Sequence, residues 1–543
     1  MIKKFITAII ASLAIPNLSA QQPIGWGDQL NGTYKNPVLN ADYSDPDVIR
    51  VGETYYMVAS DFHYLGMQVL ESHDMVNWRI ISQIYDRFSL PGWDENRHYA
   101  GGSWAPAIRY HDGLFYVFFC TPDEGLFMST ARQASGPWSQ LHCVKSVKKW
   151  EDPCPFWDND GQAYLGRSQH GAGPIIVHRM SADGRQLLDD GVTVYTGPVA
   201  EGTKFLKRNG YYYLIIPEGG VGQGWQTVLR ARNIYGPYEK RVVLEQGSTR
   251  INGPHQGALV EAADSTWWFF HFQETHPAGR IVHLQPARWQ DDWPLIGVDI
   301  DGNGIGEPVA VWTSPRAPLV PSVPSVPLVP SAPLPSHRSL NGHGSFFDDF
   351  NADTLYWAGQ QQRALKLQWQ WNHNPVDANW SLNERRGWLT FHILPAPTLK
   401  ESRNMVTQKT VGYESEATTR MDCSGLKDGD YAGLLCTGKQ FWGVGVCRQK
   451  GRTQFYIEHD GERTLLGNVS QKTVYLRVSI DSDKNSHQFA VSTDGKHFQT
   501  AGQPFALRMG NWKGSRIGLY SYQAVSAKGG TVHFDYFRYR ILR

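Results

Sequence analysis

Between residues 40 and 300 the chain alternates short apolar runs with polar turns, and the runs come in pairs. "DPDVIRVGETYYMV" begins at Asp45, "WAPAIRYHDGLFYVFF" at Trp104 and "DPCPFWDNDGQAYL" at Asp152. "EGTKFLKRNGYYYLII" begins at Glu201 and "HQGALVEAADSTWWFF" at His255. Each opens on a polar or aromatic residue, runs through an apolar strand and a turn, and enters a second strand led by aromatics. Four of the five turns contain glycine (Gly52, Gly113, Gly161, Gly210). This is one hairpin written repeatedly, at a period of roughly fifty residues. Outer-strand patterns such as "SHDMVNW", "SGPW" and "YGPY" lie between the copies. The pattern predicts an all-β chain whose residues 30–313 form a five-bladed β-propeller.

The pattern stops at "SPRAPLVPSVPSVPLVPSAPLPSHRS". Alternating proline and small residues suit an extended polyproline II strap, so residues 314–340 read as a linker. A second domain, 341–543, follows it, as a 543-residue chain is too long for one core. Aromatic residues make up 13%, with 54 Gly and 31 Pro, which favours turn-rich β structure in both domains. The formal net charge is +1; this leaves no broad basic field for nucleic acid. At the amino terminus, Lys3 and Lys4, the apolar "FITAIIASLAI" and the small-residue "LSA" read as a signal peptide over 1–20. The apolar run is too short for a stable membrane anchor, so the expected location is exported, periplasmic or secreted. Three cysteines fall in each half, an odd count that argues against a complete disulfide framework.

"ADYSDPDVIR", residues 41–50, places carboxylates at the mouth of a strand about to be buried. An Asp-Pro turn in solvent would account for one such pair. The repeat changes that reading, since equivalent positions of successive blades ring the propeller axis. Asp45, Trp104, Asp152, Glu201 and His255 take the opening position of the five copies. Three carboxylates and a histidine around one cavity point to a catalytic pocket.

Six segments, in order, carry a family resemblance: "NPVLNADYSDPDVIRVGETYYMVAS", "SWAPAIRYHDGLFYVF", "EDPCPFWDNDGQAYL", "EGTKFLKRNGYYYLI", "GPHQGAL" and "GRIVHLQPARW". Over residues 35 to 312 the chain resembles glycoside hydrolase family 43. The second domain resembles the concanavalin-like β-sandwich (jelly roll) that follows β-xylosidase-type members, with its "FFDDF" start and "HFDYFRYR" end paired as first and last strands. The resemblance implies an exo-acting glycosidase that releases terminal α-L-arabinofuranose or β-D-xylose from hemicellulose with inversion. Asp45 corresponds to the base that activates water and Glu201 to the acid that protonates the leaving oxygen. Asp152 corresponds to the modulator, whose negative charge is expected to keep Glu201 protonated near neutral pH while Asp45 stays ionised. Arg280 matches an arginine that reaches sugar hydroxyls or fixes a carboxylate; Trp104, Phe62 and His63 match pocket-lining positions. His255 matches a histidine beside a central calcium or sodium ion held mostly through water, and Gln256 departs from the usual glycine there. No cofactor is implied for the chemistry. The expected partner is an oligosaccharide or polysaccharide, with no membrane anchor.

Two other classes remain open at this level. A fructan hydrolase shares the blades and carboxylates, but "SDPDV" and "EGTKF" stand where its nucleophile and acid motifs would be. A noncatalytic sugar-binding propeller would not need all three carboxylates. The sandwich is expected to dock on the propeller as a fixed partner.

Overall fold

The computed structural model describes residues 27–95, 98–315, 346–351, 353–357, 360–525 and 528–543. The segment read as a signal peptide and nearly all of the proline-rich linker lie outside them. Five four-stranded antiparallel sheets follow one another in chain order, each a simple meander. Their innermost strands are Ser44–Val51, Trp104–His111, Trp150–Trp157, Lys204–Arg208 and His255–Glu261. These are the five blades of a propeller, one for each sequence repeat.

The hairpin turns show why glycine recurs. Gly52, Gly113, Gly161 and Gly210 all have φ between 62° and 83°, where a side chain is strained. The fifth turn uses Ser265, also left-handed at φ 65°. The ring is tied shut through the segment before blade one. Leu39 bridges to Val282 in blade five, and Asn36 Oδ1 and Nδ2 pair with the backbone of Leu284 at 2.8 Å each.

The second domain is a sandwich of an eight-stranded and a seven-stranded antiparallel sheet. Phe346–Asp348 pairs with Thr531–Ile541, with Phe346 opposite Tyr539, as expected for first and last strands. Strict alternation of buried and half-buried residues along Glu414–Asp422 shows one face turned to the core.

The two domains are joined by buried polar contacts. Gln68 Nε2 donates to Leu367 O at 2.8 Å, and Asn374 Nδ2 donates to Phe88 O at the same distance. Lys409 Nζ reaches Asp61 Oδ1 at 3.0 Å, and Lys513 Nζ reaches Asp42 Oδ2 at 2.9 Å. All four of these charged side chains are buried. Through these contacts the sandwich docks on the propeller, as the family resemblance led us to expect.

Candidate active site

Four of the five inner strands start with a β-bulge. The register slips between Ser44 and Asp47, Trp104 and Ala107, Glu151 and Cys154, and His255 and Gly257. The first extra residue is left-handed in each case: Asp45 (φ 53°), Ala105 (34°), Asp152 (56°) and Gln256 (29°). Blade four repeats the turn with Gly202 at φ 63°. A bulge re-aims the side chain it frees, and left-handed non-glycine residues mark places where strain serves a site. The prolines that follow Asp45, Ala105 and Asp152 fit the bulge because the ladder needs no N–H there.

This register corrects the equivalence read from the sequence. Ser44, Trp104, Glu151, Glu201 and His255 form one level; Asp45, Ala105, Asp152, Gly202 and Gln256 form the next. The five residues aligned at the repeat openings therefore straddle two levels. Aligning the copies on Pro46, Pro106 and Pro153 gives the same levels, because the bulge recurs at that place in each of those blades.

Both levels open into one cavity of about 350 Å³, within the range of small-ligand sites. Asp45, Phe62, Trp104, Asp152, Glu201, His255 and Arg280 all line it. Asp45 Oδ2 accepts from Ser60 Oγ at 2.6 Å, and its Oδ1 accepts from Arg280 Nη1 at 3.2 Å. Arg280 is fixed in turn by Ser44 Oγ at 3.0 Å and Glu274 Oε2 at 3.2 Å. Asp152 is held by three donors: Gly202 N at 2.7 Å, Ser168 Oγ at 2.8 Å and Gln256 Nε2 at 3.2 Å. Glu201 Oε1 lies 2.7 Å from His255 Nε2.

His63 does not line the cavity. It is buried behind Phe62, where its Nδ1 accepts from Ala100 N at 3.2 Å and its ring packs on Tyr64 and Tyr99. The chain turns here, with Phe62 left-handed at φ 55°, so Phe62 points into the pocket while His63 turns away from it. Its place in the wall is completed from the other domain. Trp512 stacks on Phe62 at 5.9 Å and meets Trp104 edge-on at 5.2 Å. No sequence pattern linked Trp512 to the propeller. Glu151 and His170 also line the cavity and were missed; adjacency of Glu151 to Asp152 was the available sign.

The proton arrangement differs from the sequence expectation. Burial, with the nearby charges of Asp152 and Glu201, pushes Glu151 up to about 9. Burial, with Glu201 beside it, raises Asp152 to about 6. Burial also works to raise Glu201, but the His255 hydrogen bond and the charges of His255, Arg280 and His170 outweigh it and hold this carboxyl below its usual value. Oxygens of Glu151, Asp152 and Glu201 all lie within 4.8 Å of one another. In the free pocket Glu151 therefore holds its proton most tightly of the three carboxyls and Asp152 next, within short reach of Glu201, and the cluster titrates as a unit. Asp152→Asn removes a like charge, so the cluster should lose its catalytic proton at lower pH. The basic limb of the kcat/KM profile is expected to move down by about one unit; a limb that stays in place removes Asp152 from this role.

Comparison with known proteins matches this geometry. The model of glycosyl hydrolases family 43 matches residues 34–294, and that of the beta xylosidase C-terminal concanavalin A-like domain matches 361–540. A "putative beta-xylosidase" of Xylanibacter ruminicola is 62% identical over 494 residues, covering 91% of this chain and 87% of its own. The chain belongs to glycosyl hydrolase family 43. A "non-reducing end alpha-L-arabinofuranosidase" of Bacteroides ovatus is 25% identical over 553 residues, covering 94% and 95%. Among solved structures, the family 43 BlXynB protein of Bacillus licheniformis superposes with TM-score 0.75 at 26% identity, over 93% of this chain and 99% of its own. This family 43 chain is an exo-acting glycoside hydrolase, which sets aside the fructan-hydrolase and noncatalytic readings.

Proposed function

We propose that this family 43 enzyme is exported and removes terminal β-D-xylose from plant hemicellulose, inverting the anomeric carbon. The observation that carries the mechanism is the placement of Asp45 and Glu201 in one cavity from separate blades, each with its own cationic or imidazole partner. Asp45, oriented by Ser60 and Arg280, takes a proton from the attacking water. Glu201, oriented by His255, gives a proton to the departing oxygen and draws on the carboxyl cluster beside it. The aromatic wall of Phe62, Trp104 and Trp512 shields the reacting bond and offers apolar faces to the sugar ring. β-D-Xylose is favoured by the 62% identical relative named for that activity. The relative named for α-L-arabinofuranose supports the second reading, release of that sugar instead.

An ion at the axis belongs to the same proposal. With His255 Nε2 committed to Glu201, Nδ1 is buried without a partner. That atom could accept a hydrogen bond from a water on a calcium or sodium ion, both of which take oxygen ligands, so His255 would hold the ion through water. When bound, such an ion would supply fixed positive charge near His255. Export rests on the amino-terminal pattern. Among the described residues no helix is long and apolar enough to cross a membrane.

Proton NMR of the first sugar released from an aryl β-D-xyloside tests the mechanism. The α-anomer is expected before mutarotation. Appearance of the β-anomer first would mean retention and would overturn the assignment of Asp45 as a base acting through water.

A further inference from the structure

Glu151 sits in the catalytic cavity, yet neither the base nor the acid assignment uses it. Its side chain is 9% exposed, and its oxygens are poorly supplied with donors. Oε1 accepts from Ala172 N at 3.2 Å, and Oε2 lies 3.5 Å from Nδ1 of His170. Asp152, one residue on, has three good donors. A buried carboxyl this short of partners, facing a cavity, is arranged for a group that arrives from outside.

Its position says which group. Glu151, His170 and Ala172 all belong to blade three, on the inner strand and on the loop between Ala163–Gln169 and Ile175–Met180. Glu151 crowds Glu201, with oxygens within 4.8 Å. Asp45 is held by partners from blades one and five. In an inverting displacement the water beside the base and the departing oxygen beside the acid lie on opposite faces of the anomeric carbon. A carboxyl that neighbours the acid therefore faces the departing sugar. His170 stands beside it with its side chain 41% exposed and its ring 5.2 Å from Trp104, at the mouth of the pocket.

Resting on the family 43 reading above, we propose that Glu151 and His170 form the binding subsite for a hydroxyl of the leaving sugar, and that they set the preference for a glycosyl over a simple leaving group. Burial and the neighbouring carboxylates keep a proton on Glu151 at neutral pH. It can thus donate to one sugar hydroxyl oxygen and accept from the same or an adjacent hydroxyl. The imidazole of His170 adds a second polar contact at the rim.

The test compares two substrates that share the transferred pentose and differ only in what leaves: a nitrophenyl glycoside and the corresponding disaccharide, xylobiose for a xylosidase. The measured quantity is the ratio of kcat/KM on the disaccharide to that on the aryl glycoside. Glu151→Leu is expected to lower this ratio about 10- to 100-fold, mainly through KM for the disaccharide, as for loss of a hydrogen bond to a polar buried group. Glu151→Gln, which keeps shape and hydrogen-bonding capacity, should recover much of it. His170→Ala, at an exposed position, should lower the ratio in the same direction and covers the case of an insoluble leucine variant. A ratio unchanged in Glu151→Gln, Glu151→Leu and His170→Ala overturns the proposal. So does equal loss on both substrates, which would place Glu151 on the transferred sugar or in the acid chemistry. Wild-type enzyme that releases no pentose from either substrate would instead refute the underlying function.

Discussion

Asp45→Asn should lower kcat/KM by about 10²- to 10⁴-fold on every glycoside, whatever the leaving group. The amide keeps the hydrogen bond from Ser60 Oγ but cannot take a proton from water, so attack on the anomeric carbon fails for good and poor leaving groups alike. Glu201→Gln differs because its role is at the leaving oxygen. An activated aryl group departs without much protonation, whereas a sugar alkoxide does not, so the loss should be far larger on oligosaccharides. Steady-state rates on a series of aryl glycosides check both. Near-full activity of Asp45→Asn would remove it as the base. A Glu201→Gln loss independent of leaving-group acidity would remove Glu201 as the acid.

Lys513→Met should destabilise the folded chain by about 3–5 kcal/mol. Lys513 comes from the sandwich and ends in the propeller, 2.9 Å from Asp42 Oδ2 and 3.1 Å from the carbonyl of Ser60. Around it Asp61, Lys409 and Arg516 are also buried. Replacing one partner of such a network leaves the other charge buried without compensation, which costs more than the pair contributed. Thermal unfolding should show a lowered midpoint, and Asp42→Asn in the same chain should restore part of it. Full additivity of the two changes would mean that they do not interact. Burial alone would raise Asp42 and Asp61; the cations Lys513 and Lys409 outweigh it and hold both below their usual values. Their contribution is therefore complete above the ordinary carboxylate range and is lost as pH falls below it. The same residue carries a catalytic consequence. Trp512, its chain neighbour, forms part of the pocket wall, so loosening this loop should also raise KM.

Much of the architecture was legible because it is written in local chemistry. A hairpin is specified by alternation and by its turn, and Gly52, Gly113, Gly161 and Gly210 mark four of the five. Repetition of that unit predicted the blades, and the Asp-Pro pairs at Asp45 and Asp152 pointed to the mouth of the site. The motifs that resemble family 43 placed Glu201, Arg280 and His255 in the same cavity, where the structure has them. His63 went astray because side-chain direction in a turn, here after left-handed Phe62, depends on where the loop docks.

Left to itself, then, the sequence determined which residues could form strands, where they turn, and which carboxylates open the inner strands. These depend on interactions between near neighbours. The tertiary structure alone decided that both opening positions of the inner strands line one cavity, since a bulge is a property of pairing between strands. It alone ordered the three carboxyls by proton affinity, with Glu151 and Asp152 above Glu201, because burial and the approach of His255 to Glu201 exist only after the blades close. It alone brought Trp512 and Lys513 of the sandwich to the rim of the propeller, because a contact between distant segments leaves no period or spacing in the chain.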